Sequence, residues 1–378
     1  MTSSEILSYL KSQKWFFGVR ADASILFYSA KQDGVRRHVK ELHGLDFAET
    51  MLVPVGGQPV RAINVEQAKA FHEVSRKMVL ENPQILQGRI KDNDKLWVRI
   101  ARECEALDRA VKAGDESAAI EAYKTAAESY SLHGAHFIII FSLGLKLTES
   151  GVTPENKEVL AIHDVWRNTV ALKEELVGES WYDFFVFIAD RRKVQSSALD
   201  LMRFLSLSEV FAWLEGDLDG VDSLVGSRKN HGFVYLDLRQ DRRVIDDAEL
   251  IDAVSAQFSA HEDKAETREI KGQVAFAGEG TVVGRVVVVK GKEELSAKGD
   301  SLAGKILVAV QTTPHYIPYL KGVKAIVTDE GGITCHAAIV SREMGIPCIV
   351  GTKNATIVLN DGDEVEMDFE NGMVKKIQ

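Results

Sequence analysis

The chain has 378 residues, 45% of them hydrophobic and 27% charged, an ordinary globular mixture with length for two or three domains. Its formal net charge of −10 argues against nucleic acid or an anionic membrane surface as a main partner. Three cysteines, Cys104, Cys335 and Cys348, stand far apart or unpaired in the sequence, which points to a reducing compartment without a disulfide framework. The start of the chain lacks a basic segment followed by an apolar run, and the apolar stretch 136–145 is too short for a membrane span, so a cytoplasmic protein with no membrane partner is expected.

Residues 1–60 carry mixed signals. Ser24-Ile25-Leu26-Phe27-Tyr28 fits a buried strand or the middle of a helix, and Val53-Pro54-Val55-Gly56-Gly57-Gln58-Pro59 reads as a loop from its breakers. The run Trp15-Phe16-Phe17 reads as a core anchor. From Asn64 the pattern turns helical. Asn64 and Gln67 open a helix to about Leu80, and Asn82-Pro83 closes it. A second helix is expected over 95–113 and a third over 117–147, with Gly134 as a candidate break. Thr153-Pro154 looks like a cap followed by proline at the first helical position. After it, Val159, Ile162, Trp166 and Val170 share one helical face. A further helical segment covers 181–206, and Ser206-Leu207-Ser208-Glu209 is a capping box for a helix stopped by Gly216. His133 and His136 lie three apart on the third helix, but the sequence offers no ligand set around them, so a buried role is expected and no metal site.

The charged run 261–269 has few apolar anchors. It suggests a linker or hinge over 261–271 that separates a mainly helical region, 1–260, from a last domain, 272–378. In that domain the β-branched run Gly284-Arg285-Val286-Val287-Val288-Val289 reads as a buried strand, with further strands at 306–310, 325–328 and 347–350 and helices at 314–321 and 336–344. Asp361-Gly362-Asp363 and Asn371-Gly372 punctuate a closing strand pair.

One stretch of this domain carries chemistry: Gly331-Gly332-Ile333-Thr334-Cys335-His336-Ala337-Ala338-Ile339. It reads as strand, glycine turn and helix, with Thr334 as a candidate N-cap and His336 in the first helical turn. Unpaired N–H groups and the positive end of the helix dipole favour an anion there and disfavour an imidazolium. A neutral, nucleophilic imidazole at an anion-welcoming helix end is the arrangement a phosphohistidine carrier needs.

Residues 304–356 resemble the phosphohistidine swivelling domain of the phosphoenolpyruvate-utilising enzymes, a family that includes phosphoenolpyruvate synthase, pyruvate phosphate dikinase and rifampin phosphotransferase. The resemblance rests on Gly304-Lys305-Ile306-Leu307-Val308, Thr312-Thr313-Pro314, Ala325-Ile326-Val327-Thr328, the histidine motif, Ser341-Arg342-Glu343, Gly345-Ile346-Pro347 and Val350-Gly351. Two positions depart from the usual pattern: His315 stands where an acidic residue is common, and Ser341 where alanine is common. The resemblance implies a multidomain α and α/β protein, with a largely helical N-terminal region and a C-terminal β/β/α swivelling domain. It implies His336 as the phosphoryl-carrying residue; with His336 in that role, Thr334 is expected to orient the ring or the phosphate, and phosphate contacts are expected around Gly331, Gly332, Cys335 and Ala337. The helical region, through Phe204-Leu205-Ser206-Leu207-Ser208-Glu209, Gly216 and Arg228, is loosely similar to the helical part of the rifampin phosphotransferase group and is the candidate region for a small-molecule acceptor. Neither an ATP-grasp domain nor a pyruvate-handling barrel is legible. No cofactor is therefore expected on this chain, and Mg2+ and ATP are expected on an ATP-grasp partner chain. A second reading is a phosphocarrier or regulatory binding protein without a small-molecule product of its own.

Overall fold

The computed structural model of the chain describes residues 1–20, 24–55, 58–259, 269–277, 281–329, 331–332, 335–352 and 354–377. The chain divides into two compact units, a larger one within residues 1–256 and a smaller one made chiefly of 257–378.

The N-terminal unit contains helices α1 (Ser3–Ser12), α2 (Ile25–His43), α3 (Val65–Glu81), α4 (Gln84–Ala113), α5 (Glu116–Glu149), α6 (Lys157–Arg192), α7 (Ala198–Phe204), α8 (Leu207–Glu215), α9 (Val221–His231) and α10 (Ala248–Ser259). Strands β1 (Trp15–Arg20), β2 (Thr50–Val55), β3 (Gln58–Asn64), β4 (Val234–Asp237) and β5 (Arg242–Ile245) form a sheet in the order β1-β3-β2-β4-β5. Of this sheet the sequence indicates only β4, as a short strand within His231-Gly232-Phe233-Val234-Tyr235-Leu236-Asp237. The predicted loop at 53–59 falls in the β2/β3 hairpin, where Pro54 pairs with Pro59 and Val53 with Val60. Proline breaks a strand only where its missing N–H is needed, and here the flanking β-branched residues set the pairing. The aromatic run is split: Trp15 donates its indole N–H to the Leu10 carbonyl at 3.0 Å, while Phe16 is 51% exposed, so Phe16 anchors no core.

The helices pack through aromatic side chains. Trp181, Tyr123 and Tyr130 are fully buried and in edge contact, and Tyr123 stacks on Phe184 with centroids 4.5 Å apart. Helix α5 is not broken at Gly134. That glycine instead admits α2: a Cβ on it would lie 2.5 Å from the Lys31 carbonyl oxygen, and one on Gly34 would lie 1.5 Å from the Ser131 carbonyl oxygen. The two glycines let the backbones of α2 and α5 cross in contact. Helix α6 is continuous to Arg192, where two separate segments were expected, and it starts at Lys157 rather than directly after Pro154. Its predicted face is inward, with Val159, Trp166 and Val170 buried. Helix α5 is long and apolar enough to cross a membrane by length and composition alone, but 67% of its most apolar window is buried inside the unit, as for a core helix.

In the C-terminal unit an eight-stranded sheet runs in the order β6-β13-β12-β8-β9-β10-β11-β7. The strands are β6 (Glu269–Lys271), β7 (Gln273–Phe276), β8 (Val282–Val289), β9 (Ile306–Ala309), β10 (Ala325–Thr328), β11 (Cys348–Val350), β12 (Glu364–Asp368) and β13 (Met373–Lys376). Neighbours β8, β9, β10 and β11 are parallel, and the flanking pairs are antiparallel. The valine run of β8 alternates. Val287 and Val289 join one core with α12 (His336–Met344), and Val286 and Val288 join another with α13 (Ala355–Val358) and β12. A continuous apolar run buried on both faces is what a central parallel strand requires. Helix α11 (Lys292–Lys298) packs beside β8. The predicted helix at 314–321 is a 3-10 helix, Pro314–Tyr319, with Pro318 inside it. The predicted linker falls largely on 260–268, outside the described residues, but its last three residues are strand β6, paired with β13.

Candidate active site

The parallel strands β9 and β10 end side by side, and both feed the site, as is usual at the carboxyl edge of a parallel sheet. All four residues of β10 are buried. Beyond it, Gly331 has φ of 105°, and a Cβ there would sit 2.6 Å from the Cys335 sulfur, so this position needs glycine for both its backbone angle and its space. The Cys335 N–H closes the turn onto the Gly332 carbonyl at 3.0 Å. Helix α12 then begins at His336, as the sequence predicts, but the cap is one residue later than expected. Cys335 is the N-cap, extended at φ −72° and ψ 166°, and its sulfur accepts the Ala338 N–H at 3.4 Å. Thr334 lies outside the described residues, as does Ile333.

The His336 ring is fixed from one side. Its Nδ1 is 2.9 Å from the Thr312 hydroxyl oxygen, which is buried in the loop that follows β9. When Nδ1–H donates to that oxygen, Nε2 carries the free lone pair. Burial pulls the His336 pKa below that of a free imidazole, and the charge of Glu343 only partly opposes it, so the ring is neutral at pH 7. The N–H groups of His336 and Ala337 lie in the first turn, where no intrahelical carbonyl can reach them. Of the residues singled out from the sequence, Gly331, Gly332, Cys335, His336 and Ala337 are thus brought together. The Cys335 N–H and sulfur are both already engaged within the turn. Thr312 belongs to the Thr312-Thr313-Pro314 element, but its spacing from His336 in the sequence contains no hint of the contact.

A buried carboxylate braces the same corner. Asp329, directly after β10, accepts from the Thr352 hydroxyl at 3.1 Å, from the Thr356 N–H at 3.1 Å and from the Thr356 hydroxyl. Its own N–H bonds the Ala309 carbonyl at 3.1 Å. Burial raises its pKa, opposed by the Thr356 bonds. Ser341 packs inside α12, donating to the Ala338 carbonyl at 3.1 Å. It also reaches the Cys348 thiol, whose pKa burial pushes up to about 12. Arg342 donates to the Ala275 carbonyl at 3.4 Å, and His315 is exposed on the 3-10 helix.

In the N-terminal unit, Phe204, Glu209, Arg228 and Asp246 form a clamp. Arg228, 2% exposed, donates to both Glu209 oxygens at 2.6 and 2.9 Å, to Asp246 and to the Phe204 carbonyl. It ties α9 to the start of α8. Ser206 and Glu209 form the predicted capping box and Gly216 the left-handed stop. His133 is fully buried, bonded to Asn93 at 3.0 Å and to Glu174 at 3.1 Å. Among the described residues no group of three His, Cys, Asp or Glu side chains is placed to hold a metal ion.

Residues 302–372 match the family model of the PEP-utilising enzyme, mobile domain. The chain is 46% identical over 117 residues to a probable phosphoenolpyruvate synthase of Methanothermobacter thermautotrophicus, covering 31% of this chain and 16% of that protein. It is 47% identical over 112 residues to a probable phosphoenolpyruvate synthase of Archaeoglobus fulgidus, covering 29% and 14%. With the phosphoenolpyruvate synthase of Pyrococcus furiosus it shares 34% identity over 223 residues, 58% of this chain and 25% of that protein. That stretch is longer than the whole C-terminal unit, so the similarity reaches into the N-terminal unit. The chain spans a quarter or less of each of these relatives.

Proposed function

We propose that this chain is a phosphotransferase component in which His336 carries a phosphoryl group from a nucleotide to a small molecule. The observation that supports this reading most directly is the His336–Thr312 contact at 2.9 Å, set in a mobile domain of the family. The Nε2 lone pair attacks the γ-phosphorus of ATP in line, the bond from that phosphorus to the β,γ-bridging oxygen breaks, and ADP leaves. The imidazolium charge formed on attack is relieved through the Nδ1 proton shared with Thr312. In the second step an acceptor hydroxyl attacks phosphorus, the P–N bond breaks and the hydroxyl proton passes to base. The first-turn N–H groups of His336 and Ala337, with Gly331 and Gly332, receive the phosphoryl oxygens; Thr334 stands beside them in sequence as the second catalytic candidate. Mg2+ and ATP are bound by a separate ATP-grasp chain, the acceptor by the N-terminal unit, and the protein works in the cytoplasm.

The test is labelling with radioactive ATP and Mg2+. The expected result is no label on the purified chain, label on His336 once a nucleotide-binding partner is added, and a phosphate that is acid-labile and base-stable. His336→Gln should remain folded and carry none. Retention of that label in His336→Gln would refute the carrier role. Stoichiometric labelling without a partner would refute the separate donor and place a nucleotide site within residues 1–260.

A further inference from the structure

The N-terminal unit holds a cleft of about 240 Å³ between α2, α8 and the β4/β5 hairpin. Its basic centre is Arg242. The Arg242 guanidinium donates to Asp33 at 2.9 Å, to the Tyr235 hydroxyl at 3.1 Å and to the Ser29 carbonyl at 3.2 Å. These bonds hold the group in one orientation and use three of the five N–H donors a guanidinium has. Burial alone would favour its neutral form, but Tyr235, Asp237 and Asp33 more than offset this, so Arg242 is charged throughout the working pH range. Burial likewise keeps the Tyr235 phenol protonated. Its oxygen accepts the Arg242 Nε–H, which leaves its own proton to donate.

The other side of the cleft is different in kind. Leu207 and Phe211 of α8 form an apolar wall, and Arg243 lines the cleft with an exposed side chain. The ion pairs around the cleft join Arg36, Arg37, Arg242 and Arg243 to Asp33, Asp237 and Asp241. Among the described residues that line the cleft, Arg242 and Arg243 stand against Asp33 alone, one positive charge in excess, in a chain whose net charge is −10. A planar guanidinium with free donors, a phenolic O–H and a single uncompensated charge suit a carboxylate. An aromatic wall opposite suits an apolar body.

We propose that this cleft binds a small organic acid, its carboxylate against Arg242, Arg243 and the Tyr235 hydroxyl and its apolar body against Leu207 and Phe211. That this acid also carries the hydroxyl that takes the phosphoryl group rests on the carrier reading above; the binding itself does not.

The probes are para-hydroxybenzoate and para-hydroxybenzyl alcohol, which share ring and hydroxyl and differ in the charged group, titrated calorimetrically into the full chain. The benzoate should bind at least about tenfold more tightly than the alcohol, the range expected of a charge-assisted hydrogen bond. Arg243→Gln, at an exposed position that spares the fold, should remove most of that difference and leave the alcohol unchanged. Phe211→Ala should weaken both. Equal affinity for the two probes, no binding of the benzoate up to about 10 mM, or benzoate binding untouched by both substitutions would overturn the proposal. The titration needs no phosphorylated histidine and is repeated on His336→Gln. Binding there, with no label ever found on His336, would remove the carrier and leave the cleft. Labelling of His336 with no binding of the benzoate would do the reverse.

Discussion

Thr312→Val is the most informative single change, because it deletes one hydroxyl and little volume. The Thr312 oxygen lies 2.9 Å from His336 Nδ1. Without it a proton on the half-buried Nδ1 has no acceptor, and a tautomer that leaves Nε2 free loses this support. Leaving a buried donor unpaired costs about 1–3 kcal/mol; His336 is only half-buried, so the lower part of that range applies. At about 1.4 kcal/mol per decade of rate, the nucleophile should react roughly tenfold more slowly. Phosphoramidate, a chemical phosphoryl donor, reads this without any partner protein. The time course of phosphorylation at His336 would be followed by phosphorus NMR, and the tautomer by the nitrogen shifts of the ring. Thr312→Ser keeps the hydroxyl and should restore both. The pH profile gives a second readout: burial holds the His336 pKa below its ordinary 6.5, so the wild-type rate should stay level as pH falls through 6.5 and decline only below it. A Thr312→Val rate equal to wild type, with the same tautomer, would refute the argument that this contact prepares the nucleophile.

Other substitutions test the supports. Gly331→Ala must place a methyl 2.6 Å from the Cys335 sulfur at φ of 105°; it should slow phosphoramidate labelling of His336 while circular dichroism shows the helices intact. Cys335→Ser should keep or improve the cap, since serine is the better N-cap acceptor, and its melting temperature should not fall. Gly34→Ala puts Cβ 1.5 Å from the Ser131 carbonyl oxygen, so α2 and α5 must separate. A loss of about 3 kcal/mol or more in urea unfolding is expected, and a loss under about 0.5 kcal/mol would mean the crossing is looser than described. Arg228→Ala leaves Glu209 and Asp246 facing each other unpaired and should cost about 3 kcal/mol. Burial raises the Glu209 pKa, but the bonds and charge of Arg228 outweigh it and hold it below 4.5. Its contribution is therefore fully present above 4.5 and is lost as pH falls through the lowered value. The stability difference between wild type and Arg228→Ala should shrink in that acid window.

The C-terminal unit was legible because its signals are local. A β-branched run such as 286–289, a glycine pair before a helix and an Asn-Gly turn each constrain a few neighbouring residues, and the histidine motif contains its own strand, turn and helix start. What the motif could not reveal was the partner across the sheet. Thr312 reaches His336 because β9 and β10 are adjacent and parallel, a fact of pairing rather than of spacing. The cap moved from Thr334 to Cys335 because side-chain chemistry alone favours threonine, whereas the turn closed by Gly332 sets which residue is extended. The pairing of the N-terminal sheet is not legible for a related reason: β2 lies between β3 and β4, and β4 begins more than 170 residues beyond the end of β2. Gly134 read as a helix breaker because sequence shows the missing side chain and not the helix that fills its place.

A phosphohistidine carrier faces opposed demands. Its imidazole must be neutral to attack, which favours burial, and it must be reachable by a donor and then an acceptor, which favours exposure. On the proposed carrier reading, the site meets both by dividing the ring. Nδ1 faces a buried threonine in a loop fixed by the sheet, and the ring is desolvated enough to lower its pKa. Nε2 is left on the other edge at the head of α12. The helix dipole adds to the same bias, since it disfavours the imidazolium before transfer and favours the phosphoryl oxygens after it. The histidine is thus readied by groups within its own domain, and a donor site need supply only the aligned phosphate and its counter-ions. This is why phosphoramidate should label His336 in the chain by itself while ATP should not. If both failed, the geometry around His336 would have lost its chemical meaning; if both succeeded, the carrier would stand and the separate donor would fall.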